Sequence, residues 1–131
     1  MNNVFVLEER THIVSELRWQ FAGLTDWNIC GFSSELELFQ QAQLQNSYEL
    51  LVILDFSTGK AVCLQFLQRC LGANVIFPVM LYSSDQLKNL EWALRELGVC
   101  HIQCGEFDPQ RVARICRWQL VSKPHKRNTR L

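Results

Sequence analysis

The fold is decided by the stretch Leu50-Leu51-Val52-Ile53-Leu54-Asp55, near the middle of the chain. Five aliphatic residues in a row, without polar alternation, are typical of a parallel strand that is covered on both faces. The run ends abruptly at an acidic residue, where the chain is expected to leave the sheet. Outward from this stretch the pattern recurs, because short apolar runs alternate with segments of helical periodicity.

Five such runs predict five β-strands. They are Val4–Leu7, Trp27–Phe32, Leu50–Leu54, Val75–Tyr82 and Val99–Cys104. Five alternations of strand and helix predict a parallel sheet with helices on both faces, and right-handed crossovers restrict its topology. We therefore predict an α/β, flavodoxin-like (βα)5 three-layer sandwich, with a parallel five-stranded sheet of order 2-1-3-4-5.

Helix boundaries carry their own signals. Ser34 with Glu37 is a capping-box signature at the start of the second helix, and Asp108 is the predicted N-cap of the fifth. Gly72 and Gly98 are predicted to close the third and fourth helices, with a left-handed cap at Gly98. The expected apolar anchors are Leu36, Phe39 and Leu44 in the second helix and Leu87, Leu90, Leu94 and Leu97 in the fourth.

Length and composition indicate one globular domain. The chain has 131 residues, of which 48% are hydrophobic, so a core can form. We assign residues 1–121 to this domain and 122–131 to a basic, disordered tail. No secretory signal or membrane-spanning run is evident, and the six cysteines are expected to be reduced. These features predict a cytoplasmic protein.

The net charge of zero hides an uneven distribution. Four of the 13 basic residues lie in the last nine positions, which leaves nine basic against 13 acidic residues and a charge of −4 for the rest. We expect the tail to be solvated, and an electrostatic contact is the alternative. Because four charges are few, neither a membrane nor nucleic acid is predicted as the partner.

Acidic or hydroxyl side chains stand where three predicted strands end. Glu8 and Glu9 follow the first strand, Asp55 ends the third, and Ser83 ends the fourth. Because the carboxyl ends of adjacent parallel strands meet at one edge of the sheet, these side chains are expected to converge. Converging carboxylates need a cation or hydrogen bonds to satisfy them.

With these residues in place, the sequence resembles the receiver domains of two-component response regulators over nearly all of residues 3–121. That family has an acidic pair after strand one, a phosphoacceptor aspartate after strand three, a Ser or Thr after strand four and a Lys-Pro-Phe after strand five. The resemblance makes Asp55 the phosphoacceptor candidate and Glu8, Glu9 and Ser83 the acidic pocket. It implies that Glu8, Glu9 and Asp55 bind Mg²⁺, weakly at most, and that no cofactor is required.

Several departures from the family pattern point to a degenerate, pseudo-receiver variant. Gly105 stands at the position of the family's lysine, which pairs with the phosphoacceptor and its phosphoryl oxygens, and Glu106 replaces the proline. The two glutamates of the pair are one methylene longer than aspartates, and Mg²⁺ requires nearly ideal octahedral geometry. The loop Phe56–Lys60 is altered, and Ile102 takes the place of the switch aromatic.

We interpret the chain as an atypical receiver that acts as a signalling protein-interaction module without efficient aspartyl phosphorylation, and not as an enzyme. The alternative is a functional receiver that is phosphorylated on Asp55 with Mg²⁺, and an unrelated enzyme on the same fold is a third hypothesis. The predicted partner is a protein, either a kinase or an output protein, or a second copy bound through helices four and five. The surface candidates are Trp92, opposite the leucine stripe, and Arg111 and Arg114 on the outer face of the fifth helix.

Overall fold

The computed structural model describes residues 1–122, which form five strands and five α-helices in strict alternation. The elements are β1 (Asn2–Leu7), α1 (His12–Gln20), β2 (Trp27–Phe32), α2 (Glu35–Gln43), β3 (Leu50–Asp55), α3 (Lys60–Gly72), β4 (Val79–Ser83), α4 (Glu91–Glu96), β5 (Val99–Cys104) and α5 (Pro109–Arg117). A 3-10 turn at Ser47–Glu49 precedes β3, and a π-helical turn at Trp118–Ser122 continues α5. Of the predicted tail, residues 122–131, all but Ser122 lie outside the described residues.

The sheet confirms the predicted fold class. Its strands are all parallel and lie in the order β2-β1-β3-β4-β5, so β2 and β5 form the two edges. In the register of the central strands, Asp55 is the partner of Tyr82. The ends of β3 and β4 therefore lie side by side at the carboxyl edge, which is where this topology places a site.

Two apolar cores cover the sheet, one on each face. Residues of α1 and α5 pack on one face, and residues of α2, α3 and α4 pack on the other. Every residue of β3 is buried, which explains its uninterrupted apolar sequence, since a central strand contributes to both cores. Within the described residues no helix has the length and apolar character needed to span a membrane.

β4 starts later than predicted, at Val79 rather than Val75. Asn74 adopts a left-handed conformation with φ 55°, and the N–H of Val75 donates to the carbonyl of Cys70, so these residues close α3 instead of joining the sheet. Pro78 then precedes the strand and has no N–H to give to a ladder. From the apolar run alone, the end of α3 could not be distinguished from the start of β4.

α4 is also shorter than predicted, since it spans only Glu91–Glu96. Leu87 is buried and Leu90 is half-exposed, but both lie in the turns that lead into the helix. Leu94 is the buried anchor of α4 itself. The four leucines were predicted to lie on one helix, but only the second half of that segment is helical.

Three of the four predicted cap residues are confirmed. The Ser34 hydroxyl accepts from the N–H of Glu37 at 3.2 Å, the Asp108 carboxylate accepts from the N–H of Gln110 and of the next residue, and Gly98 is left-handed with φ 104°. Gly72 does not cap its helix. It is the last residue of α3, and the left-handed conformation occurs two residues later.

The predicted apolar face of α2 was wrong at two of three positions. Leu36 and Leu44 are exposed, whereas Leu38, Ala42 and Glu35 are buried together with the predicted Phe39. Glu35 can occupy the inner face because Arg69 of α3 forms a bidentate ion pair with it, at 2.7 and 2.9 Å. A carboxylate on the buried stripe obscured the helical period in the sequence.

Candidate functional site

Asp55 ends β3 with its carboxylate turned back onto its own loop. One oxygen accepts from the N–H of Ser57 at 3.2 Å, and the other accepts from the hydroxyl of Thr58 at 2.9 Å. The residue is buried. An aspartate that bonds the backbone two residues on forms an Asx turn, so this side chain shapes the β3–α3 loop, and each of its oxygens already has a hydrogen-bond donor.

Glu8 caps α1. Its two carboxylate oxygens accept from the N–H groups of Ile13 and Val14, each at 2.9 Å, whereas Thr11 at the N-cap position makes no side-chain cap bond. The residue is buried, and burial raises its pKa above the ordinary value. The charge of Asp55 acts in the same direction, and the two backbone bonds oppose it.

The predicted acidic pair is therefore divided. Glu8 is buried and its carboxylate bonds the start of α1, whereas Glu9 is exposed, although both residues line the cleft that Arg18 and Ser33 also border. Two consecutive residues after a strand diverge when one of them caps the next helix. The structure brings the charge of Glu8 near Asp55 but gives Glu9 a different environment.

Ser83 and its neighbours close the other side of the rim. The hydroxyl of Ser83 is buried and accepts from the N–H of Asp85 at 3.2 Å. The hydroxyl of Ser57 accepts from the N–H of Ser84 at 3.0 Å, which joins the loop after β3 to the loop after β4. The loops that follow β3 and β4 are thus connected directly at the rim.

Gly105 occupies the position where the resemblance would place a lysine. Its backbone is left-handed with φ 99°, a conformation that favours glycine. Its N–H donates to the carbonyl of Ser83 at 3.0 Å, and its carbonyl accepts from the hydroxyl of Tyr82 at 2.7 Å. The turn after β5 is therefore fixed to β4 on both sides of this residue.

An aromatic cluster stands beside Asp55 on the same face of the sheet. Tyr82 is the register partner of Asp55, and its ring packs edge-on against Phe107 with centroids 5.2 Å apart. Phe107 in turn contacts the ring of His12 at 5.3 Å. Burial raises the pKa of Tyr82, and the charges of Asp55 and Glu106 raise it further, so the phenol stays a neutral donor.

Sequence analysis did not identify Tyr82 and His12. The available signal was an aromatic residue directly before Ser83, at a register position that faces the same side as Asp55. Phe107 follows Gly105 and Glu106, so it stands at the phenylalanine of the family's Lys-Pro-Phe, and its ring packs against Tyr82.

The residues of this rim do not form a ready set of three protein ligands for a metal ion. Among residues 1–122 no three His, Cys, Asp or Glu side chains lie close enough together to hold one. Glu8, Glu9 and Asp55 do not form such a group, and the carboxylate of Glu8 already accepts from two N–H groups of α1. Lys60 does not replace the missing cation either, since its ammonium lies 6.0 Å from the ring centre of Phe56 and forms no ion pair with described residues.

The proposed interaction surface is only partly assembled. Arg111 and Arg114 line one groove between β5 and α5, of about 430 Å³, together with His101, Ile115 and Trp118. Trp92 is 73% exposed on α4, as the sequence predicted, but it does not line this groove. Sequence analysis missed His101 and Trp118, although the latter follows Arg114 by one helical turn.

No protein-family model matches the sequence, and neither does any curated protein. Solved structures do match. The receiver domain of Francisella response regulator 1452 superimposes with a TM-score of 0.72 at 14% identity, over 92% of this chain and 97% of that chain. The N-terminal domain of NsrR, a lantibiotic response regulator for nisin resistance, gives 0.69 at 14% identity, over 92% and 98%.

The chain has the receiver-domain fold. A further structure with the receiver fold is described as the pseudo-receiver domain of the CikA protein, and it matches with a TM-score of 0.62 at 12% identity, over 91% of this chain and 97% of that chain. At these identities the likeness concerns the fold alone. Whether the rim of this receiver fold accepts a phosphoryl group depends on its own residues.

Proposed function

We propose that this receiver-fold chain is a pseudo-receiver, a protein-interaction module whose state does not depend on aspartyl phosphorylation. The observation that carries the proposal is the environment of Asp55. Both carboxylate oxygens accept hydrogen bonds from the same loop, and the residue at the lysine position is a left-handed glycine.

Phosphoryl transfer to a carboxylate depends mainly on neutralising the charge of the moving group. Near Asp55 the charged neighbour that acts on this rim is Glu8, whose pKa is raised partly by the charge of Asp55. Two neighbouring carboxylates repel an incoming phosphate, and the charge of His12 offsets only a small part of the rise in the pKa of Glu8. The neutral hydroxyl of Tyr82 adds no compensating charge, and it already donates to Gly105.

The proposed role is to bind a protein partner, either a kinase or an output protein, without catalysis. The candidate surface is the outer side of α4 and α5, with Trp92, Arg111 and Arg114, all of which are exposed. Aromatic and arginine side chains are the residues that most often anchor interfaces.

Incubation with a small-molecule phosphodonor and Mg²⁺, followed by intact-mass measurement, tests the phosphorylation part. We expect the mass to stay unmodified, because the rim lacks the charges that the transfer needs. A receiver domain that accepts the group under the same conditions is the positive control. A single added phosphoryl group that is lost in Asp55→Asn would overturn the proposal.

The second candidate, a receiver phosphorylated on Asp55 with Mg²⁺, is favoured by one observation. Glu8 and Asp55 are close enough for the charge of Asp55 to contribute to the raised pKa of Glu8, so a cation near both would be attracted to them. For this candidate the Glu8 side chain would have to leave the N–H groups of α1. Isothermal calorimetry with Mg²⁺ distinguishes the candidates, since micromolar binding that is lost in Glu8→Gln supports the second.

A further inference from the structure

α5 carries two different stripes. Val112, Ala113 and Cys116 face the core. Arg111, Arg114, Ile115 and Trp118, which follow the i, i+3, i+4, i+7 spacing of a single helix face, line the groove beside β5. The second stripe is amphipathic, and its two guanidinium groups precede its apolar pair along the chain.

The groove is held in shape from the β5 side. The imidazole of His101 lies 3.2 Å from the side-chain oxygen of the buried Gln119, and its ring meets Trp118 edge-on at 6.0 Å. β5 is the last strand of the sheet, so the groove opens along an edge that no other described strand covers. A volume of about 430 Å³ lies in the range of sites that hold several side chains or a small molecule.

The charges of this groove have no partners within residues 1–122. The guanidinium groups of Arg111 and Arg114 form no ion pair or hydrogen bond there, in contrast to Arg69 and Arg95, which pair with glutamates. α5 itself contains no acidic residue. The groove is therefore cationic on a body that otherwise has an excess of acidic residues.

We propose that the groove between β5 and α5 binds an acidic peptide segment of a protein partner. Carboxylates of the segment pair with Arg111 and Arg114, whose planar forks suit carboxylate oxygens, and an adjacent apolar side chain packs on Ile115 and Trp118. This inference rests on the proposed interaction function and specifies the chemistry of its partner.

The charge distribution favours this occupant over three others. A nucleic acid needs several phosphate contacts along its length, and beside Arg111 a long polyanion would meet Glu106 and Asp108, which line a neighbouring cleft with that arginine. An anionic membrane attracts clusters of about four or more basic side chains, whereas this groove presents two. A second copy joined symmetrically through the same stripe would bring arginines together.

The test uses the 131-residue chain and a fluorescent synthetic peptide in which glutamates alternate with leucine and phenylalanine. Binding is read by fluorescence anisotropy at near-physiological salt. We expect saturable binding that disappears when every glutamate of the peptide is replaced by glutamine. Arg114→Glu should weaken binding by about tenfold or more. Trp118→Ala should weaken it as well.

Lys60→Glu is the matched control, because it makes the same change of charge at an exposed site on α3, on the opposite face of the sheet. We expect it to change the affinity by less than about twofold, since exposed charges at a distance are screened. Circular dichroism of each variant checks that it is folded. An equal loss of peptide affinity in Arg114→Glu and Lys60→Glu would refute binding in the groove, because the affinity would then depend on the overall charge of the protein.

Three further results would overturn the inference. In the first two, the peptide does not bind, and the chain binds instead either a single-stranded oligonucleotide or vesicles of phosphatidylserine and phosphatidylcholine. In the third, no peptide binds and the chain forms a dimer that Arg114→Glu dissociates. Each identifies a different occupant. The phosphodonor experiment is independent of all three, so phosphorylation of Asp55 would refute the pseudo-receiver proposal and leave the groove to be judged on peptide binding.

Discussion

Asp55 and Arg114 are both polar side chains at the margins of one sheet, but their surroundings differ. The Asp55 carboxylate accepts two hydrogen bonds from its own loop, whereas the Arg114 guanidinium has no such partner within the described residues. Around Asp55 the polar groups of the rim are joined to one another, and along α5 they face solvent. A rim whose hydrogen bonds are satisfied internally holds its loops in place, and a groove whose charges are unpaired can bind another molecule.

The largest effect is expected from removing the rim's helix cap. Glu8→Ala should lower the free energy of unfolding by about 2 kcal/mol, because the N–H groups of Ile13 and Val14 would lose their acceptor in a buried setting. Chemical denaturation measures this. Glu9→Ala is the control, and we expect it to change the free energy by less than about 0.5 kcal/mol, since Glu9 is exposed. Equal effects of the two substitutions would contradict the division of the pair.

The next effect concerns the lysine position. Gly105→Ala should destabilise the fold by about 1 kcal/mol, because its φ of 99° is unfavourable for a residue with a Cβ. Gly72→Ala, in the last turn of α3, should instead stabilise it by about 0.5 kcal/mol. Thermal unfolding distinguishes the two signs.

The same backbone argument applies to restoring the family's residue. Gly105→Lys should be strained and should not make Asp55 accept a phosphoryl group in the intact-mass measurement. A Gly105→Lys variant that is as stable as the parent and becomes phosphorylated would show that the missing lysine alone prevents phosphorylation of Asp55.

A pH effect should follow from Glu8. Burial raises its pKa above 4.5, so just above pH 4.5 the folded protein still holds a proton that the unfolded chain has released. The contribution of Glu8 to the free energy of unfolding therefore falls as the pH rises through this window. The advantage of the parent over Glu8→Gln should shrink there. An advantage that grows with pH, or a carboxyl carbon that titrates below pH 4.5 by NMR, would contradict this.

The smallest effect on stability is expected in the groove. Arg114→Ala should change the free energy of unfolding by less than about 0.5 kcal/mol, since its guanidinium makes no hydrogen bond or ion pair with residues 1–122. The same substitution should reduce peptide binding. A loss of stability comparable to that of Glu8→Ala would mean that the groove is as internally bonded as the rim, and the comparison between the two regions would fail.

Local signals in the sequence were sufficient for most of the fold. The aliphatic run before Asp55, the alternation of strands with helices, and the caps at Ser34, Gly98 and Asp108 each depend on residues close together in the chain. Such signals were weaker where a polar residue lies on a buried face. Glu35 is the example, because only its distant ion pair with Arg69 explains its burial.

The candidate site divides along the same line. The sequence determined that Asp55, Ser83 and Glu8 stand at the carboxyl edge of the sheet, because strand order and strand ends follow from its pattern. It also determined that Gly105 leaves the lysine position without a cation. Only the tertiary structure decided that Glu8 caps α1, that Tyr82 donates to Gly105, and that Arg111 and Arg114 share a groove with His101. The physical reason is that each polar group bonds whichever partner packing brings within reach, and those partners come from other strands and helices.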